Sequence, residues 1–274
     1  MSHGLSNVLD FFSVLGEAST DFGRGKFDFH RVEGWLSPSF SPLVLLPGRS
    51  LNHADLESIE EYIRQHPIRN PALNPAPYFN FFTQEGLYNT EAIRSVCNAA
   101  GWTIDEDPLS VEFVTDRKPV STPPGIVVTV VDATNSGLHP EYREVLRRNF
   151  RADEAYLSEV EMAYRRARAL SYTVLLGSDT GVTLGGGTIS MRNSLGFLTW
   201  GSINPEYRNQ GLHRLLLSAC VKVAMNHGVK TCAFTTRNKF IRRKWDSFSE
   251  MHICRKSTKD ESKSASYPIG MDQS

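Results

Sequence analysis

The residues best placed to do chemistry are Arg208, Asn209, Gln210, Gly211, Leu212, His213 and Arg214, which sit between an apolar stretch ending at Ile203 and the apolar run Leu215 to His227. A strand that ends in a tight loop opening a helix leaves backbone N–H groups exposed at the positive end of that helix. Such a terminus is a site for a diphosphate. Gly211 removes a Cβ from the place where a phosphate would approach the backbone. Cys97, Cys220, Cys232 and Cys254 are scattered, with no Cys-x-x-Cys pair or nearby His at ligand spacing, so neither a zinc site nor a disulfide framework is expected. The basic cluster Arg237, Lys239, Arg242, Arg243 and Lys244 is either a solvated helix face or a contact for a phosphate or acidic group.

The elements that must hold this loop can be read on both sides of it. Gly196 to Ile203 alternates as a strand, and Val182 to Met191, with Gly185, Gly186 and Gly187, is its hairpin partner across the turn Asn193 to Gly196. Tyr172 to Leu176 is a third strand, His139 to Ala169 suits one or two helices, and Ile126 to Val131 is a β-branched strand that opens the series. After the loop, Leu212, Leu215, Leu216, Ala219, Cys220 and Val223 form one helical face that Gly228 ends. Lys230 to Thr236 is then a strand, Lys239 to Phe248 a short helix and Met251 to Arg255 a last strand.

This order over residues 125–256, with the loop at its centre, resembles the GNAT superfamily of acyl-CoA N-acyltransferases. The superfamily's loop pattern is Arg/Gln-x-x-Gly-x-Gly/Ala; here Arg208-x-x-Gly211-x-His213 keeps the first two positions and has an imidazole at the third. Asn238 matches the family's Asn after the next strand, and Trp245 stands where many members carry a Tyr that protonates the leaving thiolate. Trp offers only an N–H. The resemblance implies an α/β (α+β) fold with a mixed, mostly antiparallel sheet flanked by helices. It also implies acetyl-CoA as acyl donor, without a metal, with its diphosphate on Arg208 to Arg214. Its pantetheine arm would run along the strand ending at Ser202 and Ile203 and against Asn238, with a backbone N–H near Ser202 or Ile203 facing the thioester carbonyl.

The implied reaction is direct transfer to the amine of a small metabolite or amino-acid-like acceptor in a ternary complex. The base is not fixed by sequence. Glu159, Glu161, His252, Tyr172, Tyr207, Thr235 and Thr236 are candidates, each also readable as a packing or surface residue. His213 and Trp245 keep open a second reading, a non-catalytic module of the same fold that binds coenzyme A or a protein partner.

The 274 residues exceed one such domain. Asn52 to Gln65 is a capped helix, Tyr78 to Thr83 a strand, Thr90 to Ala100 a helix, and Gly101-Trp102 leads to a strand over Leu109 to Val114. This is the order of the back half of a GNAT domain, so residues 1–118 read as a degenerate GNAT-like half, or as a plain α/β cap. Residues 125–256 form the acetyltransferase domain, and 257–274 a disordered tail. Thirty Lys plus Arg balance thirty Asp plus Glu, so no net field favours nucleic acid or membrane. With no signal-peptide pattern or membrane-length apolar run, a cytoplasmic protein is expected. Acceptor, acyl-chain length and oligomeric state are not encoded legibly.

Overall fold

In a computed structural model of the chain, the described residues are 25–29, 32–36, 43–45, 50–65, 78–83, 89–106, 109–115, 120–167, 169–236 and 247–256. Asn238, Trp245, the basic cluster and the tail 257–274 lie outside them, as does most of the helix expected over Lys239 to Phe248. Ser247 and Phe248 already belong to the last strand.

The first half runs β1 (Gly25–Phe29), β2 (Val32–Leu36), β3 (Leu43–Leu45), α1 (His53–Gln65), β4 (Tyr78–Thr83), α2 (Thr90–Ala99), β5 (Trp102–Ile104) and β6 (Leu109–Val114). The second half runs β7 (Ile126–Asp132), a single-turn α3 (Ala133–Ser136), α4 (Pro140–Phe150), α5 (Glu154–Ala167), β8 (Leu170–Ser178), β9 (Thr183–Arg192), β10 (Leu195–Ile203), α6 (Leu212–Asn226), β11 (Thr231–Thr236) and β12 (Ser247–Lys256). The expected long helical stretch is therefore two helices. Arg151, in the left-handed conformation at φ 53°, ends the first, and Asp153 accepts the Tyr156 N–H at 2.8 Å to start the second.

The strands form one mixed sheet in the order β1-β2-β3-β4-β12-β6-β11-β10-β9-β8-β7, with β5 also on β12. Each half holds one parallel pair, β3 with β4 and β10 with β11, bridged by a helix; the other pairings are antiparallel. The last strands of the two halves are exchanged. β6, from the first half, lies against β11, while β12, from the second half, lies against β4 and β5.

The cores record the same exchange. One apolar cluster joins Leu212, Leu215, Leu216 and Cys220 of α6 to Val174, Ile189, Leu198 and Phe234 of the sheet and takes in Val114 from β6. The other joins Leu56, Ile59 and Ile63 of α1 to Phe79, Phe81, Ile93 and Trp102, and takes in Cys254 from β12. Each large apolar side chain buried in these clusters contributes about 1.5–3 kcal/mol, which is what holds an α6 whose first turn has no side-chain cap.

Candidate functional site

The segment 204–211 leaves β10 through the short 3₁₀ turn Pro205–Tyr207 and enters α6 at Gly211. Asn209 and Gly211 both have positive φ, 63° and 74°, and a Cβ at Gly211 would meet nothing within 4 Å. Glycine is favoured there by its backbone angle. Within the turn, Tyr207 N–H donates to the Asn204 carbonyl at 2.9 Å and Arg208 N–H to the Pro205 carbonyl at 3.3 Å; at the helix start, Arg214 and Leu215 donate to the Gly211 carbonyl. Among the described residues no backbone bond uses the N–H of Asn209, Gln210, Gly211 or Leu212. Asn209, Gln210, Gly211 and Arg214 are exposed, His213 is half-buried, and the Leu212 side chain is sunk in the core. Leu212 can therefore offer a ligand its amide but not its side chain.

The Arg208 guanidinium is turned inward. Its Nε donates to the Ile203 carbonyl at 3.0 Å and Nη2 to Asn149 Oδ1 at 3.1 Å. Asn149 Nδ2 donates in turn to the buried Asn204 at 2.9 Å, and Asn204 Nδ2 to the Thr183 carbonyl at 2.9 Å. This chain ties the end of α4 to the loop. A cavity of 580 Å³ beside α4 is lined by Glu141, Glu144, Val145, Arg147, Arg148, Thr183 and Asn204. Its charged side chains are engaged: Arg148 pairs with Glu206 at 2.7 Å, Arg147 with Glu144 at 3.4 Å and with Glu154, and Glu141 accepts from the Thr183 hydroxyl at 2.8 Å.

Beside the loop the sheet opens. β10 and β11 pair from Leu195↔Thr231 to Leu198↔Phe234, after which β10 continues to Ile203 and β11 to Thr236 without pairing to each other. On its other edge β10 carries a bulge: Thr199 pairs with Thr188 and Ser202 with Gly186, so Trp200 and Gly201 stand opposite the single Gly187. The extra residue reverses the side-chain alternation, which is why Leu198 and Ile203, five positions apart, share the α6 core. Ser202 and Ile203 are buried and lie just beyond the bulge.

The acid–base candidates separate. Glu161 is spent on structure: one oxygen accepts the Leu138 N–H at 2.6 Å and the other pairs with Arg143 at 2.7 Å. His252 sits on β12 opposite Phe81, its ring stacked at 5.2 Å, and so belongs to the first half's sheet. Tyr172 stacks on His227 at 4.9 Å, at the far end of α6 from the loop. Tyr207 is half-buried in the 3₁₀ turn. Glu159 is buried on α5, one turn from Tyr156, whose ring meets Trp200 edge-on at 6.4 Å. Thr235 and Thr236 lie on β11 past the point where the strands part.

Two residues escape a reading of the sequence. Glu112, fully buried on β6, is in register with Phe234, and the Ser110 hydroxyl beside it donates to its carboxylate. The signal was a charge inside the apolar alternation Leu109 to Val114, but nothing local says that β6 lies against β11. Tyr142, fully buried on α4, shares its hydroxyl between the carbonyls of Thr199 at 3.4 Å and Trp200 at 3.2 Å. The four cysteines are free and buried; burial pushes the Cys232 thiol up to about 12, so it stays protonated at neutral pH. Among the described residues no group of three His, Cys, Asp or Glu side chains could hold a metal ion.

Residues 138–242, which contain α4 to β11 and the whole loop, match the acetyltransferase (GNAT) family. This segment is a GNAT domain. No curated protein matches the chain. Among solved structures, a GCN5-related N-acetyltransferase from Kribbella flavida is 16% identical, with a TM-score of 0.56 over 89% of this chain and 96% of that one. A tandem GNAT protein from the clavulanic acid biosynthesis pathway is 13% identical, with a TM-score of 0.56 over 93% and 96%. An acetyltransferase assigned to the GNAT family from Novosphingobium aromaticivorans is 14% identical, with a TM-score of 0.52 over 90% and 97%. These likenesses show a GNAT fold that spans both halves of the chain. Among the described residues no helix is long and apolar enough to cross a membrane.

Proposed function

We propose that the second half is an acyl-CoA-dependent N-acyltransferase that moves an acetyl group from acetyl-CoA to the amine of a small metabolite or amino-acid-like acceptor. The observation that carries this reading is the juxtaposition of two openings: a helix start with four unspent amides, and a parallel strand pair that parts beside it. A diphosphate would sit on the amides of Asn209 to Leu212, with Arg214 and His213 at its rim. The pantetheine arm would then enter between β10 and β11, where the backbone of β10 past Leu198 has no strand partner on that side. Arg208 contributes by bracing the loop from within.

In the reaction a neutral amine nitrogen bonds to the thioester carbon, the C–S bond breaks, and the thiolate takes up a proton while the new amide nitrogen gives one up. Backbone donors at the end of β10 would stabilise the oxyanion formed on the way. Glu159, the buried carboxylate on the helix that packs against Trp200, is the best-placed of the base candidates. The site needs no metal for this chemistry.

Among the described residues, α1, the helix that follows the first half's own parallel strand β3, does not repeat this open start. The amino end of α1 is closed by a carboxylate from within the helix. A role in shaping the acceptor side and in supplying β6 fits what is left. The test is turnover: acetyl-CoA with a panel of primary amines, reading release of coenzyme A, should find acceptors for the intact chain and none for Gly211→Asp. A panel with no acceptor, despite saturable acetyl-CoA binding, would favour a binding module instead.

A further inference from the structure

Trp200 holds a backbone conformation that costs a non-glycine residue energy, φ 50°, at the bulge that ends the pairing of β10 with its regular register. Something must keep it there. The Tyr142 side chain stands over β9 at Gly186, where a Cβ would come within 2.9 Å of its ring. From there its hydroxyl reaches the carbonyl oxygens of both Thr199 and Trp200. Gly187 faces the other side of the sheet, where a Cβ would lie 3.1 Å from the Leu198 side chain and 3.2 Å from the Cα of Gly201. The run Gly185-Gly186-Gly187 thus lets a tyrosine close in on one face of β9 at Gly186 and the bulged strand β10 close in at Gly185 and Gly187.

A trans peptide points its N–H opposite to its C=O. With the carbonyls of Thr199 and Trp200 held by the Tyr142 hydroxyl, the N–H groups of Trp200 and Gly201 are turned away from that hydroxyl. Two successive amides turned the same way, one from a left-handed residue, form a concavity suited to an oxyanion.

We propose that Tyr142 is a positioning residue for acyl transfer: by holding the carbonyls of Thr199 and Trp200 it aims the Trp200 and Gly201 amides at the thioester carbonyl. This rests on the coenzyme reading of the β10–β11 cleft. It moves the carbonyl-facing donors from Ser202 and Ile203 to the two residues of the bulge. It also gives the α4 helix a part in the chemistry through a residue that need not touch the substrate.

The test uses the full chain and carbonyl-labelled [1-¹³C]acetyl-CoA, with binding followed by calorimetry and the thioester C=O stretch by difference infrared spectroscopy. In the unaltered protein the stretch should fall in frequency on binding. In Tyr142→Phe, which keeps the ring and loses only the hydroxyl, the dissociation constant should stay within about twofold while at least half of the frequency shift is lost. Gly186→Ala, which displaces the ring, should act in the same direction. An undiminished shift in Tyr142→Phe, or no shift in the unaltered protein despite binding, overturns the proposal and leaves the coenzyme reading standing. Absence of binding to the unaltered protein overturns both.

Discussion

Asn52 and Asp55 close the amino end of α1 on each other. The Asp55 carboxylate accepts the Asn52 N–H at 2.9 Å, and the Asn52 side chain accepts the Asp55 N–H at the same distance. This reciprocal cap fills, with the chain's own anion, the position that α6 leaves open at Gly211. The two helices follow the parallel-pair strands of their respective halves, and the proposed function places the diphosphate on the uncapped one. Asp55 is buried, and Asp55→Ala should cost about 1–2 kcal/mol of stability through the lost cap. Chemical denaturation measures that loss, and acetyl-CoA affinity should not change with it.

The Arg208–Asn149 hydrogen bond makes a second expectation. Asn149 is on α4, yet it holds both Arg208 and Asn204, the residues at the two ends of the turn that leads into the loop. Asn149→Ala should therefore weaken acetyl-CoA binding about fivefold to tenfold, the equivalent of about 1–1.4 kcal/mol, although the side chain need not contact the coenzyme. Titration calorimetry reads the change directly. An unaltered affinity would mean that the loop keeps its shape without that brace.

Glu161 tests the division between structural and chemical carboxylates. Its bonds to Leu138 and Arg143 fasten α5 to the chain entering α4, so Glu161→Gln should lower thermal stability by about 1–2 kcal/mol and leave turnover per folded molecule unchanged. Glu159→Gln should do the reverse, with the larger effect on turnover. Melting curves together with rates normalised to folded protein separate the two.

The exchanged strands set the limits of truncation. A fragment of residues 125–256 would present β11 without β6 and would carry a β12 stripped of β4, β5 and β6. Both strands would expose unpaired backbone edges and the apolar side chains now buried against the first half. Such a fragment should fail to unfold cooperatively on its own, and co-expression with residues 1–124 should restore a cooperative melt. A fragment that melts cooperatively alone would show that the exchange is dispensable.

Much of this architecture is legible in local pattern. The strand ends, the α6 face and the loop at Arg208 to Arg214 follow from alternation, helical spacing and a glycine at a left-handed position. The bulge is not legible: Thr199-Trp200-Gly201-Ser202 looks like continued alternation, and only the partner strand shows that two residues face one. Nor is the use of Gly185, Gly186 and Gly187: Tyr142, some forty residues earlier, lies over Gly186, and β10 closes in on Gly185 and Gly187. The strand exchange is invisible for a related reason. Leu109 to Val114 and Ser247 to Lys256 have the same composition whichever half they complete, and the choice is made by register and packing across the whole sheet. Arg208 was legible as a loop residue, but its direction was not, because its partners Asn149 and Ile203 are set by the fold.

The most direct test of the central claim is calorimetric titration of the intact chain with acetyl-CoA, run in parallel on Gly211→Asp. Saturable binding of one acetyl-CoA per chain is expected, lost when a carboxylate is placed among the amides of Asn209 to Leu212 in a protein that still melts cooperatively. Binding of equal strength in the Gly211→Asp protein, or none in the unaltered chain, would contradict it.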